Sequence, residues 1–289
     1  MAEDLVKTSA FYSFKSAIPG ISGLGVFELG GRPVIFAGST STLEILDLDG
    51  KLLKRDYHPG GGYVSGFAPL PGKGVLCIRY NSGTQMVYLQ KPDLSSLPLD
   101  MCYDTNRVHM GVYGFGSVCH NFIFVTEPVK GGPRKIVSTF NGTMNRLGIW
   151  DETGHIEREV NFGSGVGKGG GYGMEPLGAN NIRALAVADL DGDGNKEFVL
   201  AYDRRIVLVF THDLKLRKLI RLPDRPCSML VDGQTIVVGC FNGDLFRFDA
   251  DGKALDRAKF SGAVSNLCIA GNLLFAGTAN GELAAFARK

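Results

Sequence analysis

The run VADLDGDGNKEF, residues 187–198, holds the clearest chemistry in this chain. Asp189, Asp191, Asp193, Asn195 and Glu197 fall at positions 1, 3, 5, 7 and 9 of one short loop. Alternate acidic side chains in a tight turn converge, Gly194 permits the turn, and position 7 offers a backbone carbonyl. An all-oxygen, multiply charged set of this kind suits Ca²⁺. The loop is too short for an EF-hand, whose ligand Glu stands at position 12, and the flanks RALAVA and EFVLAY read as strands, not helices. No histidine lies near in sequence. The five groups can saturate an ion, leaving no open position of the kind a catalytic metal needs. The expected role is therefore a structural Ca²⁺, with an unmetallated acidic turn as the alternative. The runs LDLDGK (46–51) and FDADGK (248–253) share letters with it but lack the full ligand set, and read as plain Asp-Gly turns.

The background composition narrows the classes. With 31 basic and 29 acidic residues the formal net charge is only +2, which disfavours a general nucleic-acid binder while allowing a local basic patch. No run approaches the roughly 18 apolar residues of a membrane span. The N-terminus MAEDLVKTSAFYSF starts acidic and lacks a continuous apolar stretch, unlike a signal peptide. The six cysteines form no CxxC pair, and those in VLCI, VVGC and NLCIA read as buried free thiols. Together these predict a cytoplasmic protein.

The loop needs strands to hold it, and the sequence supplies them periodically. Short runs of Val, Ile, Leu and Phe are broken by Asn-Gly, Asp-Gly and Gly-Gly, and glycine reaches 40 of 289 residues. The segments 34–55 and 236–260 each read strand, tight turn, strand, Asp-Gly turn, strand. Residues 273–289 repeat the first half, and 74–99, 135–162 and 197–222 are looser copies. Matching strands begin near Val34, Val75, Ile136, Phe198, Val237 and Leu274, at steps of 41, 61, 62, 39 and 37. A step near 40 is one four-stranded propeller blade; steps of 61 and 62 are single blades with insertions of about 20 residues. The expected fold is thus all-β, a six-bladed β-propeller forming one domain over 1–289. The N-terminal strand 8–16 completes the last blade and closes the ring. A seven-bladed ring is the alternative if 102–125 hides further strands.

In this architecture nearly the whole chain resembles the broad propeller superfamily that includes WD-repeat, quinoprotein-like and FG-GAP proteins. The WD signature itself is absent, and Trp150 in GIWDE is not a repeating mark. The segment NNIRALAVADLDGDGNKEFVLAYDRRIVLVF (181–210) resembles an FG-GAP repeat, the calcium-loop blade of integrin-type propellers. It also looks like a blade of the propeller subunits in the ciliary Bardet–Biedl complex. The resemblance covers one blade; the other five lack the motif. It implies a loop joining the first and second strands of its blade and holding a structural Ca²⁺.

A first-to-second-strand loop lies opposite the crossovers that link one blade to the next. The segments 57–66, 100–119 and 163–182 are expected to share that crossover face. Its candidate side chains are His58, Tyr63, Asp104, Arg107, His109, Lys168, Tyr172 and Glu175, with Arg146, Arg204 and Arg205 added by the middle hairpins. The segment GVGKGGG around Lys168 is no P-loop, lacking both GKS or GKT and a following helix. Three functions remain open. One is a non-enzymatic scaffold for a protein partner. The second is a lyase or hydrolase at the ring mouth with Tyr63, Arg107, His109 and Tyr172 as catalytic groups. The third is a glycan-binding module. In the last two, His58, Lys168, Glu175 and Arg146 would bind a small anionic or saccharide ligand.

Overall fold

The computed structural model describes residues 21–39, 42–57, 64–81, 84–99, 101, 119–141, 144–164 and 182–288. They are strands and turns without a helix, so no helix is long and apolar enough to cross a membrane. Two compact units, Met1–Leu99 and Asp100–Lys289, divide the chain.

The first unit holds two antiparallel meanders. One is β1 (Ile21–Leu29), β2 (Arg32–Ser39), β3 (Thr42–Leu46) and β4 (Leu52–Tyr57). The other is β5 (Val64–Leu70), β6 (Gly74–Asn81), β7 (Thr84–Gln90) and β8 (Ser96–Leu99). They pack face to face: Phe36, Leu43 and Ile45 meet Val64, Val75 and Cys77, and the rings of Phe27, Phe36 and Phe67 meet edge-on or tilted.

The second unit repeats the pattern. β9 (Cys119–Thr126), β10 (Lys135–Asn141), β11 (Met144–Trp150) and β12 (Ile156–Ser164) form its first sheet. β13 (Ile182–Ala188), β14 (Glu197–Tyr202), β15 (Ile206–Phe210) and β16 (Leu216–Arg221) form the second. β17 (Pro226–Asp232), β18 (Thr235–Cys240), β19 (Asp244–Phe248) and β20 (Ala254–Lys259) form the third. β21 (Val264–Ala270), β22 (Leu273–Thr278) and β23 (Leu283–Ala287) make a last sheet of three described strands. The first strands of neighbouring sheets lie against one another, β9 by β13, β13 by β17 and β17 by β21. The six matched segments of the sequence are the second strands, β2, β6, β10, β14, β18 and β22.

Alternation along one strand explains the stacking. Phe198, Leu200 and Tyr202 of β14 pack toward Val137, Leu147 and Ile149 of the preceding sheet. Val199, between them, packs toward Ile236, Val238 and Cys240 of the following sheet. Both faces are buried, so after Glu197 the residues of β14, and all those of β15, are hydrophobic instead of alternating with polar ones. Trp150 is fully buried in the same way, its indole N–H donating to Ser138 Oγ at 2.8 Å. Cys77 and Cys240 are buried as expected, whereas Cys268 is exposed. The reason is that the last sheet buries only Leu274, Ala276 and their face, leaving Cys268, Ala285 and Leu283 open on the other.

Two local devices recur. The hairpin from third to fourth strand is one five-residue turn, over 47–51, 91–95, 151–155, 211–215 and 249–253. The first N–H donates to the fifth carbonyl, and the fourth N–H donates back to the first carbonyl. In three of them the fourth residue is a glycine with positive φ; in the other two it is Leu94 (φ 66°) or Leu214 (φ 64°). Both leucines reach the core between sheets, which offsets the cost of the left-handed conformation. The second device is a bulge near the start of every first strand, where Ser22, Ser65, Asn121, Arg183, Cys227 and Ser265 interrupt the pairing. Such a bulge re-aims one side chain and sharpens the local twist.

Candidate functional site

The acidic loop joins β13 to β14, first strand to second, as the sequence predicts. Two anchors shape it. Leu190, between Asp189 and Asp191, is fully buried in the core shared with the following sheet, which pulls the loop down while its neighbours point away. Asp189 ties the turn together: its Oδ1 accepts from Gly192 N at 2.8 Å and its Oδ2 from Gly194 N at 2.9 Å. Gly194 has φ of 92°, a conformation that favours glycine, and its bare Cα leaves room for the Lys130 side chain to lie against it.

Asp189, Asp191 and Glu197 bring carboxylate oxygens within 4.8 Å of one another. Asp193 and Asn195 turn toward each other instead: Asp193 Oδ1 accepts from Asn195 N at 2.6 Å, and Oδ2 from Asn195 Nδ2 at 3.0 Å. Asn195 Oδ1 accepts from Lys130 N at 3.2 Å, and Lys196 N donates to Pro128 O at 2.8 Å. These two bonds clip the loop to the β9–β10 hairpin of the preceding sheet.

Glu197 opens β14 and is only 2% exposed, its Oε2 accepting from Leu190 N at 2.8 Å. Burial raises its pKa, against the Leu190 N–H, and the Asp191 carboxylate pushes the same way while Arg217 opposes. Asp193 is held below its usual range by the Asn195 N–H groups. The arrangement is a knot of negative charge with one buried member.

A cation reaches it that sequence reasoning missed. Arg217 Nη1 lies 2.7 Å from Asp191 Oδ2 and 3.6 Å from Glu197 Oε1, and its Nη2 lies 3.8 Å from Asp251 Oδ1. Arg217 is the unpaired residue of a bulge in β16, where Phe210 pairs with Leu216 and Val209 with Lys218. The bulge recurs in other fourth strands, with Leu53, Glu157 and Leu255 at its position. Among these described bulges, arginine stands there only in the sheet with the acidic loop. That coincidence is the signal in the sequence, but it is visible only once the register is known.

The other candidates divide. His58, Tyr63, Asp104, Arg107, His109, Lys168, Tyr172 and Glu175 lie outside the described residues. Arg146, on β11, holds Glu159 with both oxygens, at 2.9 and 2.8 Å from its Nη1. Burial lowers the pKa of Arg146 and raises that of Glu159. Arg204 and Arg205 are exposed on the β14–β15 hairpin, at the opposite ends of the strands from the acidic loop.

Against known proteins, no family model matches the chain, and no curated protein matches it in sequence. Solved structures do match. The Dos1 propeller superposes with a TM-score of 0.66 at 13% identity, over 92% of this chain and 66% of that one. BBS1N, in its complex with ARL6DN, superposes at 0.62 with 12% identity, over 93% of this chain and 78% of that one. The fold is that of a β-propeller. The computationally designed Ika8 protein matches at 0.59 with 15% identity, over 92% of this chain and 70% of that one. At these identities the likeness carries the fold alone.

The buried Glu197 gives this site a measurable energetic signature. Glu197→Ala leaves the Leu190 N–H without its acceptor and is expected to cost about 1–3 kcal/mol in urea unfolding. Glu197→Gln, which keeps the acceptor and removes the charge, is expected to cost less. Equal losses would mean that the hydrogen bond to Leu190 is not what Glu197 contributes.

Proposed function

We propose that this protein is a non-enzymatic β-propeller scaffold that binds a protein partner through the crossover ends of its sheets, with one structural Ca²⁺ in the acidic loop. The observation that carries the scaffold reading is the fold itself, a stack of rigid meanders with connections gathered at strand ends. BBS1N, a propeller of similar fold, is seen in complex with a protein partner. We further propose a single ring of six blades over 1–289, with 8–16 supplying the fourth strand beside β23. In support, the last sheet has three described strands where each of the others has four. Deleting residues 1–20 is then expected to lower Tm by several degrees; an unchanged Tm in calorimetry counts against this closure.

The donor chemistry of the loop fits Ca²⁺: all-oxygen groups, three carboxylates within 4.8 Å, and a buried Glu197 in need of positive charge. Asp189, Asp191, Asp193, Glu197 and the carbonyl of Asn195 would hold the ion, which would neutralise the knot and clip β13 to β14. Binding at about 100 times Kd is worth about 2.7 kcal/mol, so chelation should lower Tm by roughly 5 °C or more. Unchanged Tm and metal content after chelation would sink the calcium assignment.

For the scaffold reading, a photo-crosslinking amino acid is placed at Tyr63 and Tyr172, and separately at Lys253, in cells that make the protein. Discrete protein adducts are expected from the first two positions and none from Lys253. Adducts from Lys253 alone, or from no position, would reject the reading.

A further inference from the structure

The crossover ends of the second unit carry an arginine cluster, at the opposite ends of the strands from the acidic loop. Arg183 sits on the bulge that opens β13 and holds Asp203 with two bonds, Nε to Oδ1 at 2.7 Å and Nη2 to Oδ2 at 2.8 Å. Its guanidinium carbon also lies 5.5 Å from the centre of the Phe241 ring. Arg225, in the connection from β16 to β17, lies 4.8 Å from the same ring, and Phe241 N donates to Arg225 O at 3.0 Å. Arg205 Nη1 reaches Pro223 O at 3.4 Å in that connection, while Leu222 N donates to Arg205 O at 2.7 Å. Arg221 pairs across the sheet with Ile206, next to Arg205.

Arg183, Arg204, Arg205, Arg221 and Arg225 are thus gathered at one end of two adjacent sheets, against Asp203 and Asp224 in the same connections. The whole chain carries only +2, so this positive charge is local rather than a general property of the surface. All five are arginine. A guanidinium offers a planar fork of donors that matches a carboxylate, and its weaker hydration lowers the cost of burying it at an interface. Arg204, Arg205, Arg221 and Arg225 are exposed, whereas Arg183 and Phe241 are partly buried. Ring contacts stiffen Arg183 and Arg225, so less side-chain freedom is lost when a partner docks.

We propose that this cluster is a docking surface for an acidic peptide segment of a partner protein, its carboxylates read by Arg204, Arg205 and Arg225. The proposal rests on the scaffold reading and names the chemistry of the partner at the same end of the sheets. Electrostatic recognition of this kind speeds association and weakens with salt.

The test uses the full chain and a fluorescein-labelled, Glu-rich peptide of about a dozen residues, the length that spans a few surface arginines. A Gln-rich counterpart and a single-stranded RNA of equal charge serve as comparisons, with anisotropy read from about 50 to about 300 mM salt. The Glu peptide is expected to bind, more weakly as salt rises, and the Gln peptide not to bind. R204E/R225E should weaken binding about tenfold or more, and R204Q/R225Q by less. K51E/K253E, the same charge change on third-to-fourth-strand turns, should stay within about twofold.

Equal binding by R204E/R225E and the unaltered chain overturns the proposal, as does an equal loss in K51E/K253E. Tighter binding of the RNA, lost in the same arginine variants, overturns it in favour of a nucleic-acid surface. If the peptide fails while crosslinks at Tyr63 and Tyr172 persist, the acidic partner is wrong and the scaffold reading stands. If the crosslinks also fail, both fall.

Discussion

Burial of the middle strands on both faces is the constraint from which the rest follows. In β14 and β15, residues 197–202 and 206–210 are buried without exception, because their sheet is stacked between the sheets that precede and follow it. Phe198, Leu200 and Tyr202 serve one neighbour and Val199 the other. A strand in this position has no place for unpaired charge along its length. Charged and polar chemistry is pushed to the ends of the strands, and the two ends become chemically different surfaces.

At one end the first-to-second-strand connection becomes the acidic loop. Its carboxylates are bonded to backbone N–H groups of the loop, and buried Leu190 anchors them to the core. Part of the resulting charge is met by Arg217, which a bulge in β16 turns back toward Asp191 and Glu197. At the other end, the bulge that opens β13, the β18–β19 hairpin and the β16–β17 connection bring together Arg183, Phe241 and Arg225. The same backbone device, one extra residue in a strand, thus places Arg217 beside the acidic loop at one end and Arg183 in the guanidinium cluster at the other.

The repeat was legible because stacking demands apolar second strands at nearly even spacing. Val34, Val75, Ile136, Phe198, Val237 and Leu274 all fall in second strands for that reason. The loop's place between β13 and β14 was legible too, since RALAVA and EFVLAY can only be buried strands and the Gly-containing acidic turn must join them. The exposure of Cys268 was not. NLCIA looks like VLCI, but local composition does not say which face of its strand the packing buries. Leu94 and Leu214 were equally opaque, since they occupy a turn position where glycine stands in the other three sheets, and only their reach into the core accounts for them.

The sequence by itself determined the strand repeat, the Asp-Gly turns and the acidic loop, because hydrophobic alternation and Asp-Gly chemistry are local properties of the chain. Only the tertiary structure decided which charges meet. Arg217 reaches Asp191 across 26 residues, and Arg183 and Arg225 share the Phe241 ring from separate connections. Such pairings depend on strand register and on bulges, and a shift of one residue would turn each of these side chains to the opposite face.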